Sequence, residues 1–251
     1  MSFTGCDLSG ANLSSAMLDG VLFDQTPLRS ASFESASLDD CCFRDAGLQD
    51  AIFTEAKLHR CRYEKCQLRA ARLIEVHVQA SRFDQCELDA CGLHQAKFSE
   101  CRFSHGSLDG GVLYHAKFDG SEFVSITADG ANFSSVRLQG CGFWNCRFTD
   151  SKFSRADLTR TRAFRSDFLD ADFRGAILSC AQFEDADLTG ARFADANLYA
   201  ADLRTTNLRA ARGLTADQLA RARTSATTVL PNGKKGPYLK YSGAERPCAR
   251  F

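Results

Sequence analysis

The chain has 251 residues, with 31 basic and 31 acidic side chains, a formal net charge of zero, 44% hydrophobic residues and twelve cysteines. That length suffices for one sizeable domain. No apolar run approaches the roughly eighteen residues of a membrane span, and the start lacks a basic–apolar–small signal sequence, so a cytoplasmic protein without a membrane contact is expected.

From Phe3 onward every fifth residue is large and apolar: Leu8, Leu13, Leu18, Phe23, Leu28, Phe33 and on to Leu208. Only Ala128 and Ala163 depart from Leu, Phe, Tyr and Val at these centres. Two residues before each centre the side chain is nearly always small, as at Ala11, Ala31, Cys41, Cys61, Ser81, Ala131 and Ala191. A period of five fits neither a helix nor an ordinary strand, so the chain reads as a repeat architecture.

Centres twenty residues apart resemble each other more than centres five apart. One series runs Phe3, Phe23, Phe43, Tyr63, Phe83, Phe103, Phe123, Phe143; the next runs Leu8, Leu28, Leu48, Leu68, Leu88, Leu108. The simplest geometry is a square coil with four five-residue sides. Residue n then lies under residue n+20 at one strand spacing, roughly 4.8 Å. About ten and a half such coils make a rod of roughly 50 Å. The centre and the small residue point inward, and the other three positions of each side face water.

Ala11-Asn12-Leu13, Ala156-Asp157-Leu158, Ala186-Asp187-Leu188, Ala196-Asn197-Leu198 and Ala201-Asp202-Leu203 match Ala-(Asp/Asn)-Leu-x-x. Residues 1–211 thus resemble the pentapeptide repeat family. The resemblance implies an all-β solenoid, a right-handed quadrilateral β-helix.

Nine cysteines (Cys6, Cys41, Cys61, Cys66, Cys86, Cys91, Cys101, Cys141, Cys146) occupy the small inward slot, where Cys serves as a slightly larger Ala. Parallel inward side chains in a reducing compartment argue against disulfides between Cys41 and Cys61 or between Cys66 and Cys86.

After Leu208 the beat stops. Thr215 and Gln218 form a capping box, with Leu214 and Leu219 as a hydrophobic staple around it. Asp217 near the start and Arg221 and Arg223 near the end suit the helix dipole. A short capping α-helix is expected over about 216–224, within a cap of residues 212–231. Leu214, Thr215, Gln218 and Leu219 either lid the apolar end of the rod or, as the resemblance implies, make a homodimer contact. Residues 232–251, with Lys234, Lys235, Lys240, Arg246 and Arg250, read as a basic and flexible tail onto which Tyr238, Leu239 and Tyr241 add packing capacity.

Residues 1–211 carry 29 acids and 23 bases, a net charge of 23 − 29 = −6, and the remainder carries 2 acids and 8 bases, a net of +6. The whole excess lies on the side centred on Leu8, with ten acids and four bases; the other three sides balance. There Asp89, Asp109 and Asp129 stand at one position in consecutive coils, as do Asp150 over Asp170 and Asp167 over Asp187. Each like pair at about 5 Å repels by a little under ~1 kcal/mol in water. Such a stripe suits a basic partner, a cation or mimicry of a nucleic-acid backbone.

Val124, Trp144 and Phe164 share one outward position on the Phe side, an exposed apolar patch of the kind that anchors partners. The alternative is that Phe164 swings inward by a bulge to replace the undersized Ala163. Ile74, His94 and Tyr114 form a weaker ladder on the Leu13 side. The five histidines have no carboxylate or Cys partner at a shared level and read as surface residues.

No nucleophile–base pair, phosphate loop or metal set is evident, and a rod without insertions offers no concave pocket. A non-enzymatic rod that binds a protein partner through flat faces is expected, with no cofactor, no metal and no direct nucleic-acid contact. The resemblance also implies an alternative, since the family's quinolone-resistance branch mimics DNA, binds DNA gyrase and topoisomerase IV and protects these type II topoisomerases from drugs. This chain shares the rod length, the cap and one acidic side with that branch, but lacks its loop insertions.

Overall fold

A computed structural model describes residues 1–248; Arg250 of the expected tail lies outside them. Strands only three residues long stack in parallel at a register of twenty, as in Phe3↔Phe23, Phe103↔Phe123 and Leu18↔Leu38. They form a nine-stranded sheet from Ser2–Thr4 to Arg162–Phe164 and a six-stranded sheet from Met17–Asp19 to Lys117–Asp119. The other two sides are held by single parallel bridges such as Pro27↔Gly47 and Asn12↔Ser32. The chain is therefore a four-sided parallel β-solenoid. Nine strands in the larger sheet make eight strand-to-strand steps rather than ten and a half. Beyond Phe164 the winding continues as isolated bridges, Arg162↔Gln182 and Gln182↔Asp202.

Each side is short because each ends in a corner. Every residue at a multiple of five from 5 to 210 sits at positive φ, for example Asp150 at 56° and Gly140 at 67°. Valine and isoleucine are absent from these corners, where branching at Cβ is disfavoured, and Thr205 at 66° is the one β-branched residue among them.

The centres fill a narrow column. The Phe series stacks face to face at 4.7–4.9 Å between ring centroids from Phe23 to Phe123. Rings of neighbouring sides meet edge-on, as in Phe98–Phe103 at 5.4 Å. Ala163 stays inside at 2% exposure with no bulge, since Phe143↔Ala163 and Trp144↔Phe164 remain in register. Phe168, which packs on Phe183 at 5.8 Å, supplies the missing bulk from the adjoining side.

Eight of the nine slot cysteines are buried; Cys6 is exposed because no coil lies beneath the first one. All twelve thiols are free. In the slot the thiol donates to the centre carbonyl of the coil before, as Cys91 Sγ does to Leu68 O at 2.9 Å and Cys141 Sγ to Phe118 O at 2.8 Å. Thr161 and Thr206 hydroxyls make the same bond, to Leu138 O and Phe183 O. Burial pushes the Cys91 thiol up to about 12 and Cys101 to about 11, so neither ionises near neutrality.

The helix is Ala216–Arg221, three residues shorter than expected, with Thr215 as N-cap and the full capping box. It replaces one side of the last coil, the one that would follow Asn197. Arg212 still pairs with Arg192 at a step of twenty, but Arg223 pairs with Asp202 and Val229 with Asn207. Leu214 and Leu219 thereby take the places of two centres and are buried. Residues 232–248 are held on the rod rather than loose. Tyr238 N donates to Thr224 Oγ1 at 2.8 Å, Lys240 pairs with Asp217 at 2.8 Å, and Cys248 N donates to Pro231 O at 3.0 Å. Of the three tail residues expected to pack, Tyr238 does, whereas Leu239 and Tyr241 are exposed. Among the described residues no helix is long and apolar enough to cross a membrane.

Candidate functional site

The outer faces of the rod are the candidate site, and the β-ladder places their residues in columns. Val124, Trp144 and Phe164 align across three neighbouring strands, Glu122–Val124, Gly142–Trp144 and Arg162–Phe164. All three are half-buried. A Cβ built on Gly142 would stand 1.7 Å from Trp144 Cη2, so the indole lies down across Gly142. The glycine, two residues before the tryptophan on the same face, is what makes room for it. Phe164 lies under the Arg165 guanidinium, 4.8 Å from its ring centroid. The patch has a polar rim: Arg102 pairs with Glu122 at 2.7 Å on one flank, and Ser104 Oγ donates to Asp84 at 2.6 Å below.

The acidic side is used differently. The amide one residue after a centre needs an acceptor. Where Asp or Asn precedes the centre, its own side chain supplies one, as Asp167 Oδ1 does for Leu169 N at 2.8 Å and Asp187 Oδ1 for Thr189 N at 2.8 Å. Ser107, Thr127 and Arg147 occupy that place in three successive coils. There the carboxylate of the coil below substitutes: Asp89 accepts from Asp109 N at 3.1 Å, Asp109 from Asp129 N at 2.7 Å, and Asp129 from Thr149 N at 3.0 Å. Asp129 also pairs with Arg147 at 2.7 Å. The ladder thus has a backbone role that the sequence reading missed. The signal was present, since no residue before a centre on this side is Asx from Pro27 to Arg147, and the ladder lies within that stretch. Asp150 is exposed and Asp170 half-buried, both at left-handed corners.

Asp167 carries a cost. Burial raises its carboxyl above the ordinary value, and the charges of Asp187 and Asp129 add to this, against the Leu169 amide and Arg147. A raised folded pKa favours the protonated chain, so folding loses stability as pH rises through it. Asp167→Asn keeps the acceptor for Leu169 N and removes the charge. Its melting temperature is expected to exceed that of the parent at pH 7, with the gain vanishing below the ordinary carboxylate pKa of about 3.9. A gain of equal size at pH 3 would assign the effect to something other than charge.

Two histidines do have carboxylate partners, contributed by the adjoining coil. His59 Nδ1 lies 2.9 Å from Asp39 and His105 Nδ1 lies 3.2 Å from Asp84. His94 stacks on Tyr114 at 5.2 Å, continuing the weaker ladder above Ile74. Asp19, Asp39 and Asp40 converge closely enough to hold a metal ion, but Arg60 already bridges Asp39 and Asp40 at 3.0 and 2.6 Å. The rod also has a concavity where none was expected, an open groove of about 670 Å³ along the Leu18 side. Leu214, Thr215, Gln218 and Leu219 serve the cap. Gln218 accepts from Thr215 N and donates to Phe193 O and Ala196 O at 3.0 and 2.8 Å, which ties the helix to the last coils.

A pentapeptide repeat region model matches residues 56–133 and 96–166, and a model of eight pentapeptide repeats matches residues 6–45 and 166–204. The chain belongs to the pentapeptide repeat family. Among solved structures it is similar to HetL, a pentapeptide repeat protein involved in heterocyst differentiation regulation from the cyanobacterium Nostoc sp. strain PCC 7120. The identity is 21% over 82% of this chain and 86% of that one, with a TM-score of 0.45. It is also similar to full-length QnrB1, a plasmid-mediated fluoroquinolone resistance protein, at 16% identity over 90% of this chain and 94% of that one, TM-score 0.37. A pentapeptide repeat protein of the Arabidopsis thaliana thylakoid lumen is 24% identical over 54% of this chain and 70% of that one, TM-score 0.18. Among curated proteins no match was found.

Proposed function

We propose that the protein is a non-enzymatic, rod-shaped interaction module that binds a protein partner through the face carrying Val124, Trp144 and Phe164. The observation behind this reading is the patch itself: three large apolar side chains in register on an otherwise polar wall, rimmed by the Arg102–Glu122 pair. A tryptophan on a flat rigid surface loses little conformational freedom on binding and excludes water over a wide area. The proposed compartment is the cytoplasm, where the free thiols stay reduced.

A narrower reading makes the partner DNA gyrase or topoisomerase IV, engaged by DNA mimicry along the acidic side. It is favoured by the charge excess on that side, but Asp89, Asp109 and Asp129 already serve backbone amides. Two measurements test these readings. Trp144→Ala is expected to leave the melting temperature nearly unchanged and to weaken a captured partner by ~2 kcal/mol or more; equal recovery with both chains rejects the patch. A supercoiling assay with gyrase, with and without a quinolone, decides the narrower reading. Absence of both rescue and inhibition at micromolar protein removes it.

A further inference from the structure

The Leu18 side carries a column of cations that the function above does not use. Lys57, His77, Lys97, Lys117 and Arg137 occupy one outward position in five consecutive coils, each paired in register with the next. Some basic side chains elsewhere on the rod are matched across coils, as in Arg44–Glu64, Arg60–Asp40 and Arg102–Glu122. Here Arg137 pairs with Asp119 at 2.7 Å, but among the described residues Lys57, Lys97 and Lys117 make no ion pair. Burial, with Lys97 and Lys57 on either side, holds His77 below its ordinary pKa, and Glu75 is the one acid opposing them. The neutral ring accepts from Lys97 Nζ at 3.0 Å. The column forms one wall of the 670 Å³ groove. The opposite wall is Asp39, His59, Gln79, Ser99 and Asp119, and the floor includes Leu58, Val78 and Phe98.

Like charges stacked at roughly 4.8 Å repel one another, and none of the described residues forms an ion pair with Lys57, Lys97 or Lys117. We propose that this groove docks an extended acidic segment of a partner protein, lying along the rod axis with its carboxylates toward the lysine column. Four coil steps of roughly 4.8 Å accommodate about six or seven extended residues. The two walls stand two residues apart on each strand, roughly 6.6 Å, so one docked chain lies over the gap within reach of both rows. A single-stranded nucleic acid would need stacking platforms, and no Phe, Tyr or Trp occupies an outward position of this side from 57 to 140. The acids of the opposite wall, Asp39 and Asp119, also disfavour an unbroken polyanion, while His59, Gln79 and Ser99 offer hydrogen bonds to a peptide backbone. The site is separate from the apolar patch, so either can fail alone.

The test uses the full chain and a fluorescein-labelled seven-residue peptide of alternating Glu and Ser, followed by fluorescence anisotropy at low salt. Saturable binding that weakens as salt rises is expected. Lys97→Glu with Lys117→Glu is expected to weaken it at least about tenfold, while Trp144→Ala leaves it unchanged. Circular dichroism checks that the double variant winds normally; if it does not, Lys97→Gln with Lys117→Gln replaces it, with a smaller loss expected. Absence of saturable binding, equal binding by the folded variant, or tighter binding of a single-stranded oligonucleotide of matched charge would each overturn the proposal.

Discussion

Phe103→Ala should lower the free energy of unfolding by about 3–5 kcal/mol, read from urea denaturation followed by far-ultraviolet circular dichroism. Phe103 is buried at 1% exposure in the middle of the stack, with Phe83 and Phe123 at 4.8 and 4.9 Å on either face. Phe98 and Phe118 meet it edge-on at 5.4 and 6.1 Å. Removing the ring takes away contacts on four sides at once. The cavity has little means of closing, because the strands above and below are fixed by backbone hydrogen bonds at a constant step. Ala163 is the natural contrast: the column tolerates it where Phe168 covers the gap from the next side. A loss under about 1 kcal/mol for Phe103→Ala would mean that the core relaxes far more than close packing allows.

The second large effect belongs to the cap. Gln218→Ala should cost about 2–4 kcal/mol, because it removes half of the capping box and leaves two carbonyls of the last coils without their donor. Gln218→Glu separates these contributions. The carboxylate still accepts from Thr215 N but has no hydrogen to give Phe193 O or Ala196 O, and it points a charge at both. It should therefore be at least as damaging as alanine. Hydrogen exchange of amides 214–223, compared with those of the central coils, locates the loss at the end of the rod. Full recovery of stability by glutamate would show that the box alone matters.

Legibility differed by position. Inward positions were readable because they have one environment. A slot facing a narrow column takes a small side chain and a centre takes a large one, so Cys61, Cys91 and Cys141 could be recognised as filler without any contact being known. The apolar patch was also visible, since Val124, Trp144 and Phe164 break a polar rule at one position in three coils. Summing charge by side hid the basic column. The Leu18 side is neutral overall, yet its Lys57–Arg137 wall is cationic while acids lie on its other wall and at its corners. Reading each position down the axis, instead of each side as a whole, would have found it.

The repeat alone decides which atoms face the column, which face water and which residues lie over one another, because a period of five with a superperiod of twenty leaves one way to bury every centre. The folded chain decides what each outward side chain then does. Asp109 could have bonded within its own side or reached the coil above, and the absence of Asx at Ser107 and Thr127 settled it. His59 found Asp39 one step below, and the helix Ala216–Arg221 took over one wall of the last coil. These outcomes turn on how far a side chain reaches across a step of roughly 4.8 Å and on which acceptors its neighbours have left open, and neither quantity is written in a one-dimensional period.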